Sequence, residues 1–233
     1  MVVGIELYLK TKTRDDVPEH ARIFIIIGAL FGALFGSRLI AALEDPYQFI
    51  HATSLIYYYG NKTIIGGSAG GILGVEVAKR ILNIKSWTGD RALVPLAVAI
   101  IIGRIGCFVT GVSDGTVGSP CNYFWCLEQG DGMLRHPNSL YEIIFILLFL
   151  FFYALCNRLE KRTYIAGTAF RVFIVLYFTL RFFIEFLKDT HPIIFEINSI
   201  QIVCVIFALW YVRDIFHVFT ARQKKQILLD SRE

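Results

Sequence analysis

Apolar residues in this chain gather into six long runs separated by short polar stretches, rather than into the alternating or three-to-four patterns of soluble strands and helices. The runs cover 22–43, 64–77, 92–112, 140–157, 164–187 and 196–212. Five of them approach the ~20 residues an α-helix needs to cross a bilayer. The second is shorter and either extends into its flanks or starts below the outer surface. The pattern predicts an all-α fold, a polytopic integral membrane helical bundle with six transmembrane helices. It divides the chain into an N-terminal stub (1–21), a transmembrane domain (22–212) and a basic C-terminal tail (213–233).

Charge fixes the orientation expected of these spans. With Arg22 counted in the first flank, Lys and Arg number 4, 1, 4, 1, 3, 1 and 5 in the successive polar segments. Such alternation fits the positive-inside rule with six spans and both termini in the cytoplasm. A missed or extra span in the middle would break it. Composition then closes other routes: 55% of the 233 residues are hydrophobic, mean hydropathy is +0.57 and only 18% are charged. These values exclude a cytosolic globule, a disordered chain and a nucleic-acid-binding protein. The stretch 2–9 precedes the first basic residues and is too short for a secretory signal, so it reads as the stub of a helix. The tail is mildly amphipathic and reads as a solvated or lipid-surface segment.

Three spans carry small residues at four-residue spacing: Gly28, Gly32, Gly36; Gly66, Gly70, Gly74; and Gly103, Cys107, Gly111. Small-residue stripes let helix backbones approach closely in lipid, so the three spans are expected to form one cluster. The glycine-rich start of the second stripe matches neither nucleotide-binding pattern. Cys121 and Cys126 share the loop 113–139, where a disulfide and two free thiols are both open readings. No metal-ligand spacing is present, and no metal is expected.

Four arginines, Arg38, Arg104, Arg171 and Arg181, fall inside spans, where charge is costly and by default marks a site. The expected topology puts Arg38, Arg104 and Arg181 roughly 7 to 12 Å below the outer surface, at ~1.5 Å per residue. Arg171 lies in the inner half and reads as structural, snorkelling to the cytoplasmic side. At the outer level the chain adds His136, Tyr141 and Glu142, and Glu185 follows Arg181 by one helical turn. Forked guanidinium donors suit phosphate oxygens, and the phosphates at that depth are those of outer-leaflet phospholipids. A structural salt bridge between Arg181 and Glu185 is the competing reading.

At these residues the sequence resembles the prolipoprotein diacylglyceryl transferases. The resemblance rests on Gly103-Arg104-Ile105-Gly106-Cys107-Phe108, on His136-Pro137-Asn138-Ser139-Leu140-Tyr141-Glu142, and on Arg181-Phe182-Phe183-Ile184-Glu185-Phe186, supported by Gly36-Ser37-Arg38 and Gln201. It implies a multi-pass enzyme of the bacterial cytoplasmic (inner) membrane. Such an enzyme moves the diacylglyceryl group of phosphatidylglycerol to the lipobox cysteine thiol in the signal peptide of a prolipoprotein, releasing glycerol phosphate and needing no cofactor. Membrane lipids are its surroundings and nucleic acid is not a partner. By resemblance Arg104 and Arg181 hold the headgroup phosphate, Glu185 and Glu142 order the polar network, and Gly115 matches a glycine of the outer loop. Arg38 is placed by its depth, and His136 is the histidine that adjoins the 135–142 cluster. The catalytic candidates are thus Arg104, His136 and Glu142, and the substrate-binding ones Arg38, Arg104, Gly115, Arg181 and Glu185.

Three departures mark a divergent member. Ile65 replaces the family's usual His before Gly66-Gly67, Cys107 replaces its Asn, and a first helix is missing or truncated. A homologue that binds or transports phospholipid without transferring it is therefore the alternative. If the enzyme reading holds, the missing base points to His136, since imidazole ordinarily titrates near 6.5. Bracing of the fourth span through Pro137 is the competing role for that residue.

Overall fold

The computed structural model describes residues 18–44, 46–51, 60–159, 167–188 and 197–230. Seven α-helices account for most of them: α1 (Glu19–Glu44), α2 (Pro46–His51), α3 (Ile64–Ile81), α4 (Gly89–Thr110), α5 (Asn138–Leu159), α6 (Thr168–Glu185) and α7 (Ser199–Asp230). Among the described residues each expected run falls on a helix, which satisfies the backbone groups internally as lipid requires. The stub up to residue 17 and His191 lie outside the described residues. At the other end α7 continues well past residue 212, so the tail as far as Asp230 is an extension of the last helix.

Four helical segments, Ala21–Glu44, Gly89–Ser113, Asn138–Arg158 and Ser199–Val218, are long and apolar enough to cross a membrane. The other two expected spans are α3 and α6, each of 18 residues and so roughly 27 Å long at 1.5 Å per residue. Their apolar character is diluted by Glu76, Lys79 and Arg80 on α3 and by Arg171, Arg181 and Glu185 on α6. α6 is wrapped by its neighbours: Phe173, Ile174, Tyr177 and Phe178 are fully buried, and α4, α5 and α7 pack around it. Its charges are thereby shielded from lipid and paired inside the protein, as buried charges must be.

The first two glycine stripes meet face to face. A Cβ built on Gly32 would stand 2.1 Å from the Gly70 carbonyl oxygen, and one on Gly74 would stand 2.0 Å from that of Gly28. Gly36 and Gly66 oppose each other in the same way. The third stripe does not join them. A Cβ on Gly103 would touch only the tip of Ile64 at 3.9 Å, and Gly111 serves instead as the C-cap of α4, with φ 67°. α4 packs on α5 and α6 because its partners there bring the ionic groups that Arg104 needs. Since backbone lies against backbone in the α1–α3 seam, Gly70→Val is expected to destabilise the protein by about 1–3 kcal/mol or more. Thermal unfolding in detergent measures the loss, and an unchanged melting temperature would mean that the helices do not touch there.

Several helix starts are capped by identifiable groups. Thr63 Oγ1 accepts from Gly66 N at 3.2 Å at the start of α3. Asp90, in the first turn of α4, accepts from Gly167 N and from Phe170 N (3.0 Å), and so caps α6 from another helix. α7 opens on a reciprocal pair: Asn198 Oδ1 accepts from Gln201 N, and Gln201 Oε1 accepts from Asn198 N, both at 3.0 Å.

Arg171 is corrected by the structure. It does not snorkel to water but is fully buried, with Nε 2.5 Å from Asp214 Oδ2 on α7 and its guanidinium carbon 3.5 Å from the centre of the Trp87 ring. A carboxylate brought in from α7 removes the reason to reach for the surface.

Candidate functional site

Four helix ends converge at one end of the bundle: the last turns of α4 and α6 and the first turns of α5 and α7. On α6, Tyr177, Arg181 and Glu185 follow one another at four-residue spacing and share a face. Glu142, one turn into α5, is the hub. Arg104 of α4 holds it with a fork, Nε to Oε2 and Nη2 to Oε1, both 2.8 Å. Tyr177 Oη donates to Oε2 at 2.9 Å, and Arg181 Nε stands 3.7 Å from Oε1. A second carboxylate, Glu185, sits 2.6 Å from Arg181 Nη1 through Oε2, while its Oε1 receives Asn198 Nδ2 at 3.0 Å and Lys188 Nζ at 3.4 Å. Arg104, Glu142, Arg181 and Glu185 are each at most 4% exposed.

The network is not saturated. The contact between Arg181 and Glu185 falls outside hydrogen-bond angles, and neither Nε nor Nη1 of Arg181 has a hydrogen-bonded acceptor among the described residues. Two guanidinium groups thus share Glu142, and Arg181 is held to Glu142 and Glu185 by ion contacts without aligned hydrogen bonds, in surroundings where an unmade hydrogen bond is expensive. Such an arrangement can receive a doubly coordinated anion. Beside it, Cys107 Sγ lies 4.0 Å from Arg104 Nη1.

A family model described as prolipoprotein diacylglyceryl transferase matches residues 1–215. The chain belongs to the prolipoprotein diacylglyceryl transferase family. Relatives named phosphatidylglycerol–prolipoprotein diacylglyceryl transferase include one from Wolbachia sp. subsp. Brugia malayi (strain TRS), 31% identical over 71% of this chain and 65% of the relative. Another, from Clostridioides difficile (strain 630), is 28% identical over 97% of this chain and 88% of the relative. A third, from Tolumonas auensis, is 30% identical over 80% and 74%. The match to the Wolbachia protein thus spans a little under two thirds of that relative's length.

Of the site residues expected from the sequence, the structure brings Arg104, Glu142, Arg181 and Glu185 into one network. It gives Arg38, Gly115 and His136 no bond to that network among the described residues. Arg38 is half-buried on α1, without an ion pair to any described residue. Gly115 ends the short 3-10 turn Gly111–Asp114 with φ 67°, a left-handed backbone that favours glycine. His136 is half-buried, with Nδ1 3.1 Å from Tyr141 Oη, one turn below it on α5. Ile65, at the position of the family's usual His, is 1% exposed and packed in the apolar core. Sequence reasoning missed Tyr177, Lys188 and Asn198. The spacing of Tyr177 from Arg181, and the Asn-x-x-Gln of the α7 cap, were the available signals.

The loop between α4 and α5 forms a small ordered unit. β1 (Leu127–Glu128) pairs antiparallel with β2 (Leu134–Arg135), and Pro120 bridges to Arg135 from the other side. Cys121 and Cys126 form a disulfide, which decides between the two readings of that pair. A ring nitrogen of His136 lies within 4.8 Å of both sulfurs, but sulfurs bonded to each other offer no thiolate to a metal. Glu128 accepts from Gly130 N at 2.6 Å and Gly132 N at 3.0 Å, which holds its carboxyl below the usual range. Asp131 is lowered in the same way by Arg135, whose Nε lies 2.7 Å away. Ser119 N donates to Leu187 O at 2.7 Å and so ties the loop to the end of α6.

An apolar cavity of about 350 Å³ opens between α1, α3, α4 and α6. Its lining reaches Ala99, five residues before Arg104 on α4, or roughly 7.5 Å along the helix.

Proposed function

We propose that this protein transfers the diacylglyceryl group of phosphatidylglycerol to the lipobox cysteine of a prolipoprotein, at the outer face of a bacterial inner membrane. In this reading α3 and α6 also span the bilayer, giving six spans with both termini in the cytoplasm. Two buried guanidinium groups side by side, Arg181 beside the Arg104 fork, carry the proposal. They lie at the level where the charge alternation sets the outer headgroups, and the apolar cavity below offers room for acyl chain.

In the reaction the cysteine sulfur attacks the glyceryl carbon that bears the phosphate ester. A C–S bond forms, the C–O bond to phosphate breaks, and glycerol phosphate leaves with the bonding electrons. The thiol proton passes to a base or to the departing phosphate. Arg104 and Arg181 hold the phosphate and stabilise the charge that grows on the leaving oxygen. Glu142 and Tyr177 fix the two guanidinium planes, and Glu185 with Lys188 and Asn198 fixes Arg181.

Purified protein incubated with phosphatidylglycerol and a lipobox peptide is expected to release glycerol phosphate and yield a thioether-linked peptide. Lipid binding without release would support the alternative, a non-catalytic phospholipid-binding homologue, which the burial of Ile65 at the usual base position favours. His136 is the candidate base in this chain, so His136→Gln is expected to lower the transfer rate and shift its pH profile. Full activity with an unchanged profile would leave thiol activation to the positive field of Arg104.

A further inference from the structure

The loop that closes over the outer end of α4 and α5 carries its own apolar tip. Between Cys121 and Cys126 stand Asn122, Tyr123, Phe124 and Trp125, and no residue from 115 to 127 is charged. Phe124 is 94% exposed, Tyr123 59% and Trp125 43%. The rings form one block, with Tyr123 stacked on Trp125 at 4.9 Å and Phe124 edge-on to Trp125 at 4.6 Å. The two cysteines are buried, and Cys121 N donates to Leu134 O at 2.9 Å, so the base of the loop is fixed while its tip projects. The charged side chains of the hairpin are folded back on their own turn and leave Leu127, Met133 and Leu134 exposed next to the rings.

Three adjacent exposed aromatics on a loop in water are a liability, whereas at a bilayer interface they find an apolar body and a polar edge. The loop joins α4 and α5, whose lipid-facing sides carry Val109, 79% exposed, and Ile144 and Leu147, both about half exposed. The aromatic tip and these helix faces are thus apolar and exposed together, on elements joined directly in the chain. We infer that the disulfide-closed loop 121–126 is an interfacial anchor whose three rings sit in the outer headgroup layer and hold the loop against the lipid surface. This inference rests on the six-span reading.

The test uses the full chain in nanodiscs of phosphatidylglycerol and phosphatidylcholine, the latter brominated high on its acyl chains. Emission from Trp125 is read as the difference between the wild type and Trp125→Phe. It is expected to be strongly quenched by the bromines and hardly at all by aqueous acrylamide. In the Cys121→Ser/Cys126→Ser variant the bromine quenching is expected to fall, because the opened loop no longer presents the rings together. Trp125 open to acrylamide and untouched by bromine would overturn the anchor, as would shielding that appears only when a lipobox peptide is added. A Val109→Trp reporter in the Trp125→Phe background separates the two levels. Its quenching by bromine shows that α4 lies in lipid whatever the loop does, and its loss would overturn the span reading itself.

Discussion

Arg181→Ala is expected to weaken phosphatidylglycerol binding about tenfold to hundredfold, equivalent to about 1.5–3 kcal/mol for hydrogen bonds to a charged group. The protein should remain folded, because Glu185 keeps Lys188 and Asn198 as partners and Glu142 keeps Arg104 and Tyr177. Arg181→Lys keeps the charge but loses the fork, and an intermediate affinity is expected. Arg104→Ala is a harsher change, since it strips both 2.8 Å contacts from a fully buried carboxylate. Breaking such a pair from one side costs about 3–5 kcal/mol, so lost folding and lost binding must be read separately for that variant. Titration of the reconstituted proteins with phosphatidylglycerol decides the matter. Unchanged affinity in Arg181→Ala and in a folded Arg104→Lys would return both arginines to a structural role.

The helices were legible because lipid leaves the backbone no choice: a run of apolar residues long enough to cross must be helical. α3 and α6 are helices where that pattern expects them: the charges of α6 are paired inside the bundle, while on α3 Lys79 pairs with Glu76 and Arg80 is exposed near the helix end. The α1–α3 seam was legible for a similar reason, since stripes of Gly28, Gly32, Gly36 and Gly66, Gly70, Gly74 serve close approach and little else. The third stripe was misread because spacing gives a face but not its neighbour. What faces α4 is decided by Arg104, whose charge has to meet Glu142.

Depth was the signal for the site, and depth alone has a limit. The charge pattern puts Arg38 at the level of Arg104 and Arg181, but it sits two residues, roughly 200° of rotation, from Gly36 on the stripe that faces α3. It therefore points away from the seam, and no described acidic group meets it. Tyr177 was hidden for the opposite reason: within an apolar run a tyrosine reads as core, and its hydroxyl becomes informative only when Glu142, 35 residues earlier, arrives beside it. Arg171 likewise needed Asp214, 43 residues on, before its burial made sense.

Glu142→Gln tests the logic of the hub most directly. The carboxylate is the one negative group shared by Arg104 and Arg181, and its conversion to a neutral amide leaves two guanidinium groups buried side by side with only Glu185 to balance them. Without ligand the variant is expected to be destabilised by about 3–5 kcal/mol, seen as a lower melting temperature. A phosphate that binds between the arginines replaces the lost charge, and a ligand that favours the folded state raises stability in proportion to its affinity. Glycerol phosphate and phosphatidylglycerol are therefore expected to raise the melting temperature of Glu142→Gln more than that of the wild type, where Glu142 competes for the same donors. Transfer is expected to be lost nonetheless, because nothing then fixes the planes of the two guanidinium groups as charge moves to the leaving oxygen. A variant that is destabilised but gains no more from glycerol phosphate than the wild type would place the phosphate elsewhere and leave the two arginines as partners of Glu142 alone.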